Sequence, residues 1–382
     1  MSDLTPSESP PTDVPIRRAL EGENAFCALR LALAALVVCS HAFPLGGFGE
    51  DPLLLLGGWQ ESLGGVAVDS FFALSGYLVF GSWSRSQSVR DFLWRRALRI
   101  LPPYWCCLAA IAFGFAPLFR WLEGGALDAS LLIGPEGSLA FIRKNALLLV
   151  GQKGIAGLLS GVPFPDAIDA SLWTIPYEAG CYVALALLGY LGGLRGQRPA
   201  VLDFAFFGLW LLYAVEEARP ALGTSIIGNL GDASLLRLCA FFAAGAWFFA
   251  RRDVIPIRGS LFRSCCAALV VTQWHGGGFA LVSVVAIPYA VLWLGARLPR
   301  ALRGWRRDLS YGLYLYAFPV QQLAALLGVH HHGFTAYLAV SLVGGLALAA
   351  ASHALIESRL SAVAAVWRLE PAPTLGARGP RQ

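Results

Sequence analysis

Arg30 and His41 are the first residues in the chain whose types and spacing could do chemistry. They share one apolar stretch and lie eleven residues apart. On a helix that spacing returns to within ~20° of the same face and separates the two by roughly 16 Å in depth. One face would then offer a guanidinium near one end and, near the other, an imidazole able to take a proton around neutral pH. The spacing also admits a structural reading, in which Arg30 pairs with Asp69 or Glu178 and His41 rests at the interface above Pro44. A second group is Arg95, Arg96 and Arg99, just before Pro102 and Pro103. Guanidinium groups a turn apart match phosphates bidentately, and the same cluster would anchor a helix on lipid headgroups. Asp69 and Glu178 are carboxylates in apolar surroundings, and a carboxylate beside an imidazole orients it and raises its basicity. Glu178 is expected near the external end, at a depth comparable with His41. Ser75 has no G-x-S-x-G elbow around it and reads as packing. His330, His331 and His332 are consecutive and cannot all face one ion, so no metal site is expected.

The elements that must position these groups are membrane helices. The chain is 57% apolar and only 14% charged, with a mean hydropathy of +0.60, whereas a soluble domain carries about a quarter charged residues. Spans are expected at 25–43, 64–82, 100–119, 173–191, 200–215, 234–250, 261–274, 279–296, 309–328 and 335–356, most of them near the ~20 residues that cross a bilayer, with 200–215 and 261–274 short for a ~30 Å core and expected either to extend further or to line a cavity. The fold class is therefore all-α, a polytopic bundle of about ten transmembrane helices. An eleventh apolar run, 139–152, carries Arg143 and Lys144 between Gly and Pro residues and reads as an interfacial or re-entrant helix. The membrane domain is expected over 21–360, flanked by Pro-, Ser- and Arg-rich tails at 1–20 and 361–382 that lack periodicity. No cleavable leader is apparent. The eight cysteines form no CxxC pair and read as small apolar packing residues.

The basic residues set the topology. With ten spans, 22 Lys and Arg residues fall on one side and 6 on the other, with Arg30 inside the first span; the rich side, including both termini, is expected in the cytoplasm. Making 139–152 a full span would invert everything after it. The net charge of +5 is thus spent on topology, and no nucleic-acid partner is expected. The long segment 120–172 then lies outside, and its Gly161-Val-Pro-Phe-Pro165 turn with Asp166 and Asp169 is polar enough to shape a binding mouth.

Together these stretches resemble acyltransferase family 3, the membrane O-acyltransferases whose bacterial members often acetylate surface polysaccharides. Arg30 and His41 match its Arg-x10-His first helix, and Val68-Asp-Ser-Phe-Phe-Ala-Leu-Ser-Gly-Tyr-Leu its second. Arg95-Arg-x-x-Arg99-Ile-x-Pro matches its arginine motif, and Ser171-Leu-Trp-Thr-x-x-x-Glu178 its entry to the middle spans. Leu309-Ser-Tyr-Gly-Leu-Tyr-Leu-Tyr316 is similar to a later stretch, but Ala317 and Phe318 follow where a histidine is common, and Ile356-Glu-Ser-Arg359 lacks the usual proline. The resemblance implies a bacterial inner-membrane enzyme with acetyl-CoA or another acyl-CoA as donor and a glycan or lipid-linked saccharide as acceptor. Arg95, Arg96 and Arg99 would receive the donor phosphates, Arg30 would guide its arm, and His41 would act as base with Glu178 or Asp69 orienting it. Coenzyme A leaves as a thiolate, so the step demands no metal. The competing class is a proton-coupled transporter or flippase using Arg30, Asp69 and Glu178 as a path.

Overall fold

A computed structural model describes residues 14–357 apart from 59, 193–198, 219–232, 276 and 306. Each of the ten apolar segments is a helix: α1 Phe26–Leu45, α2 Leu63–Trp83, α3 Val89–Ala110, α4 Ile175–Tyr190, α5 Pro199–Ala218, α6 Ala233–Ala250, α7 Gly259–Trp274, α8 Phe279–Arg297, α9 Ser310–Leu326 and α10 Phe334–Ser352. Among the described residues, six helical stretches are long and apolar enough to cross a membrane: Phe26–Leu45, Leu63–Trp83, Val89–Leu122, Ser171–Tyr190, Phe279–Arg297 and Phe334–Ile356. The protein is thus a multi-pass, all-α membrane bundle.

Local chemistry explains the helix ends. The Ser62 side chain accepts from Gly65 N at the start of α2, and Ser88 accepts from Asp91 N at the start of α3, each satisfying a donor that the first turn leaves open. Helix α3 begins eleven residues earlier than expected and runs straight through Pro102 and Pro103. Prolines remove ladder hydrogen bonds, but here neighbouring side chains tie the helix into the bundle. Tyr311 donates to Ile100 O at 3.0 Å, and Tyr104 donates to Asn145 O at 2.9 Å.

Helices α2 and α6 form the closest seam. A Cβ on Gly76 would lie 2.0 Å from Phe242 O, and one on Gly245 would lie 1.9 Å from Ala73 O. The two backbones therefore touch through paired glycines, the usual route to close helix approach where lipid supplies no hydrophobic drive. Gly245→Ala should force the helices apart at a cost of about 1–3 kcal/mol. A clear drop in the thermal unfolding temperature of detergent-solubilised protein is the expected reading, and an unchanged temperature would show that the seam yields freely.

Two expectations are corrected. The run 139–152 is helical only over Ser138–Asn145; Leu148 and Val150 adopt positive φ values of 62° and 47°, a conformation that ends a helix, while the Asn145 side chain grips Gln152 O at 2.8 Å to close the loop. From there to 170 the chain carries no helix or strand. Nor is 1–20 a tail throughout. Val14–Pro15 pairs antiparallel with Pro256–Ile257, Ile16–Leu20 is a helical turn, and Ile16 is fully buried. The rest of the expected tails, 1–13 and 361–382, lies outside the described residues.

Candidate active site

At the arginine end of the bundle, α1, α2, α3, α4 and α9 enclose a narrow cavity of about 90 Å³. Arg30, Arg96 and Arg99 line it, with Ser75, Glu178 and Tyr182 deeper in and the aromatic rings of Phe71, Tyr311 and Tyr314 around them. Arg95 is not in the lining. It turns to Asp91, four residues earlier on α3, and to Ser86, both at 2.6 Å, because an i, i+4 carboxylate is its nearest partner.

Asp308, which the sequence reading passed over, organises the mouth. Its Oδ2 accepts from Arg30 at 2.7 Å and from Arg99 at 2.6 Å, while Oδ1 accepts from Ser310 N and Oγ at the start of α9. Burial pushes this carboxyl up, but the two guanidinium charges and their hydrogen bonds outweigh burial and hold it well below the usual carboxylate range. The expected pairing of Arg30 with Asp69 or Glu178 is therefore replaced by a pairing with Asp308, 278 residues away.

Glu178 also sits elsewhere than expected. Its Oε1 accepts from Ser75 Oγ at 3.0 Å and from the Tyr182 hydroxyl one turn along, and Ser75 and Tyr182 are themselves 3.1 Å apart. The start of its helical stretch is bound to the first turns of α9: Tyr314 donates to Ser171 O at 2.7 Å and lies 2.7 Å from Thr174 Oγ1. Glu178 thus shares the arginine cavity and not the depth of His41. The cause is the preceding irregular segment, which runs into the bundle. Gln322 donates to Phe164 O and Ala167 O, and Asp169 is fully buried, accepting from Ser171 N and Oγ. Burial pushes the Asp169 carboxyl up to about 7 against those two bonds.

His41 lies at the opposite end of α1. Its ring meets Phe318 edge-on at 5.7 Å, so both Arg30 and His41 face the α9 side, as their spacing required. Neither Glu178 nor Asp69 is at its side. The carboxylate tied to this end of α1 is Asp51, a buried residue that accepts from Ser40 Oγ, next to His41 in the chain, at 2.5 Å, from Leu63 N at 3.0 Å and from Leu53 N at 2.8 Å. Asp51-Pro52 is a helix-start signature, and that was the one sequence signal that could have drawn attention to it. His41 has no hydrogen-bond partner among the described residues. Asp69 belongs to a third place, the α2–α6 seam, where Arg237 lies 3.2 Å from it and 2.7 Å from Glu61. Burial pushes the Glu61 carboxyl up, with the Arg237 charge opposing.

The arrangement can hold an anion at one end of α1 and remove a proton at the other. Among the described residues, no group of three or more His, Cys, Asp or Glu side chains is placed to hold a metal ion.

Comparison with known proteins bears on what these groups do. A family model described as an acyltransferase domain matches residues 24–353. The chain is 29% identical over 339 residues to an O-acetyl transferase of Shigella phage Sf6, covering 88% of this chain and 95% of the relative. It is 28% identical over 361 residues to Nodulation protein 10 of Rhizobium leguminosarum bv. viciae, with coverages of 87% and 92%. It is also 26% identical over 312 residues to the exopolysaccharide production protein ExoZ of Rhizobium meliloti strain 1021, with coverages of 75% and 88%. No solved structure matches the chain.

Proposed function

The chain belongs to the acyltransferase-domain family, and from that premise we propose that it carries an acyl group, acetyl first, from cytoplasmic acyl-CoA to a hydroxyl of a glycan or lipid-linked saccharide across the membrane. The observation that carries this reading is the pairing on one helix face of Arg30, at a cavity ringed by Arg96 and Arg99, with His41 roughly 16 Å deeper. The names of two relatives, an O-acetyl transferase and an exopolysaccharide production protein, support the acyl group and the acceptor class.

In this reading all ten helices cross, the arginine end faces the cytoplasm, and the segment 147–170 enters the bundle from outside. Arg30, Arg96 and Arg99 take the donor phosphates, with Asp308 yielding its hold on the guanidinium groups. Glu178, Ser75 and Tyr182 offer acceptors and donors to the amides of the pantetheine arm, which threads past Phe71 and Tyr314 toward His41. The acceptor hydroxyl attacks the thioester carbonyl as an imidazole nitrogen of His41 removes its proton. The new C–O bond forms, the C–S bond breaks, and the coenzyme A thiolate leaves to be protonated by the imidazolium or by water. Asp51 favours that imidazolium by charge. Arg95 anchors α3 and Asp69 holds Arg237, both outside the transfer path.

The test is purified protein in nanodiscs with radiolabelled acetyl-CoA and polysaccharide extracted from cells lacking the gene. Free coenzyme A and an alkali-labile labelled polysaccharide should appear in equal amounts. Intact movement of solute across proteoliposomes with no coenzyme A released would replace this reading with transport.

A further inference from the structure

We propose that the cleft beside the Ser138–Asn145 helix docks an uncharged saccharide unit of the acceptor, next to the unit that is acylated. This deepens the acyl-transfer reading and rests on it. The cleft has a volume of about 490 Å³, and Glu136, Lys144, Gln152, Lys153 and Asp166 supply its polar lining.

The chemistry of that lining selects the ligand. Among the described residues none of its four charged side chains is in an ion pair, although two ammonium and two carboxylate groups face one space. The Gln152 Oε1 is buried and has no hydrogen-bond partner there. A vicinal diol answers such a set, because each hydroxyl donates to a carboxylate or amide oxygen and accepts from an ammonium group. A uronic acid or a phosphate gains from the two lysines and loses to Glu136 and Asp166 in equal number, so a neutral sugar fits best.

The cleft is also preformed. Gln152 Nε2 donates to Glu136 O at 2.9 Å and to Gly154 O at 2.8 Å, Ala156 N donates to Glu136 O, and Ile168 N donates to Lys153 O. Five residues other than glycine, Leu148, Val150, Ala156, Leu159 and Asp166, hold positive φ between 47° and 68°. Strain of this kind persists only where surrounding contacts over-determine it, as they do in ligand clamps.

Its position completes the inference. Asp166 in the wall is two residues from Phe164, whose ring lies 6.0 Å from Phe318, which in turn lies 5.7 Å from His41. Phe318 is itself buried, so the half-buried ring of Phe164 is the apolar surface between cleft and imidazole, and a sugar ring can lie against it with its C–H face down. A polymer with one unit in the cleft would bring a neighbouring unit to His41.

The test uses the full chain in nanodiscs and polysaccharide extracted from cells lacking the gene. In the double variant Lys153→Gln/Asp166→Asn the first change removes the charge but keeps a polar side chain, the second is isosteric, and Asn tolerates the left-handed backbone at 166. Polysaccharide binding by calorimetry should weaken more than tenfold, the acceptor KM should rise in step, and the KM for acetyl-CoA should stay within twofold. Raising salt should leave wild-type binding unchanged, as for an uncharged ligand. Full-strength binding by a folded double variant, or binding that collapses with salt, overturns the proposal. Because binding is read without transfer, wild type that binds the polysaccharide but never acylates it would instead sink the acyl-transfer reading.

Discussion

His41→Ala should lose acyl transfer by roughly 10²–10⁴-fold in kcat, the usual contribution of a general base, while the protein still inserts and still binds acyl-CoA. A sugar hydroxyl is a poor nucleophile until its proton leaves, and no other imidazole lies on this face of α1. His41→Gln separates chemistry from packing, since the amide keeps bulk against Phe318 but cannot take the proton. Both variants should therefore fall together in kcat, with the KM for acetyl-CoA near that of the wild type. Turnover within severalfold of wild type in His41→Gln would remove the imidazole from the mechanism. Asp51→Asn is expected to lie between, because the charge that favours the imidazolium is lost while the one amide oxygen of Asn can still accept from Leu53 N and the bond from Leu63 N on the other carboxylate oxygen is given up.

Arg99→Ala should raise the KM for acetyl-CoA roughly tenfold to a hundredfold, because a charge-assisted hydrogen bond contributes about 1.5–3 kcal/mol. Arg30→Ala is expected to act in the same direction. Each removal also leaves Asp308 with one guanidinium in place of two, so the thermal unfolding temperature should fall as well. The opposite sign is expected for Asp308→Asn. Neutralising that side chain frees both guanidinium groups for the donor, and Asn still caps α9, so the KM should drop. Asp308 is held well below the usual range, so its stabilising contribution is present above the unfolded value of about 3.9 and is lost only as pH falls below it. The clamp is thus ionised at any pH near neutrality, and the KM differences should not vary there. An unchanged KM in both arginine variants would mean that the donor phosphates bind elsewhere.

Membership of the acyltransferase-domain family makes the enzyme class secure, and the arginine cavity with its aspartate clamp shows how a membrane protein can keep guanidinium groups ready. Buried cations without partners are costly. Asp308 pairs with two of them at once and offsets one of the two positive charges, which keeps both side chains in place.

The segment 147–170 shows why some of the site was hidden from sequence reading. Turn residues marked it as irregular, yet nothing periodic in it indicates that it descends between helices. Glu178 was consequently placed a full depth too far from the arginines. Asp69 and Arg237 pair across 168 positions and Arg30 and Asp308 across 278, distances at which helix spacing carries no information about partners.

What the sequence determined by itself is what a one-dimensional pattern can carry. Apolar runs of about twenty residues specify helices because lipid leaves the backbone no partner but itself, and the eleven-residue interval put Arg30 and His41 on one face because helix geometry is local. Tertiary structure alone decided which carboxylate meets which cation, that α3 passes unbroken through two prolines, and that Asp51, bonded to Ser40, rather than Glu178 or Asp69 is tied to the His41 end of α1. Those outcomes depend on how separate helices settle against one another in depth and rotation, where close glycine contacts and a few long-range hydrogen bonds choose among packings that hydropathy leaves equivalent.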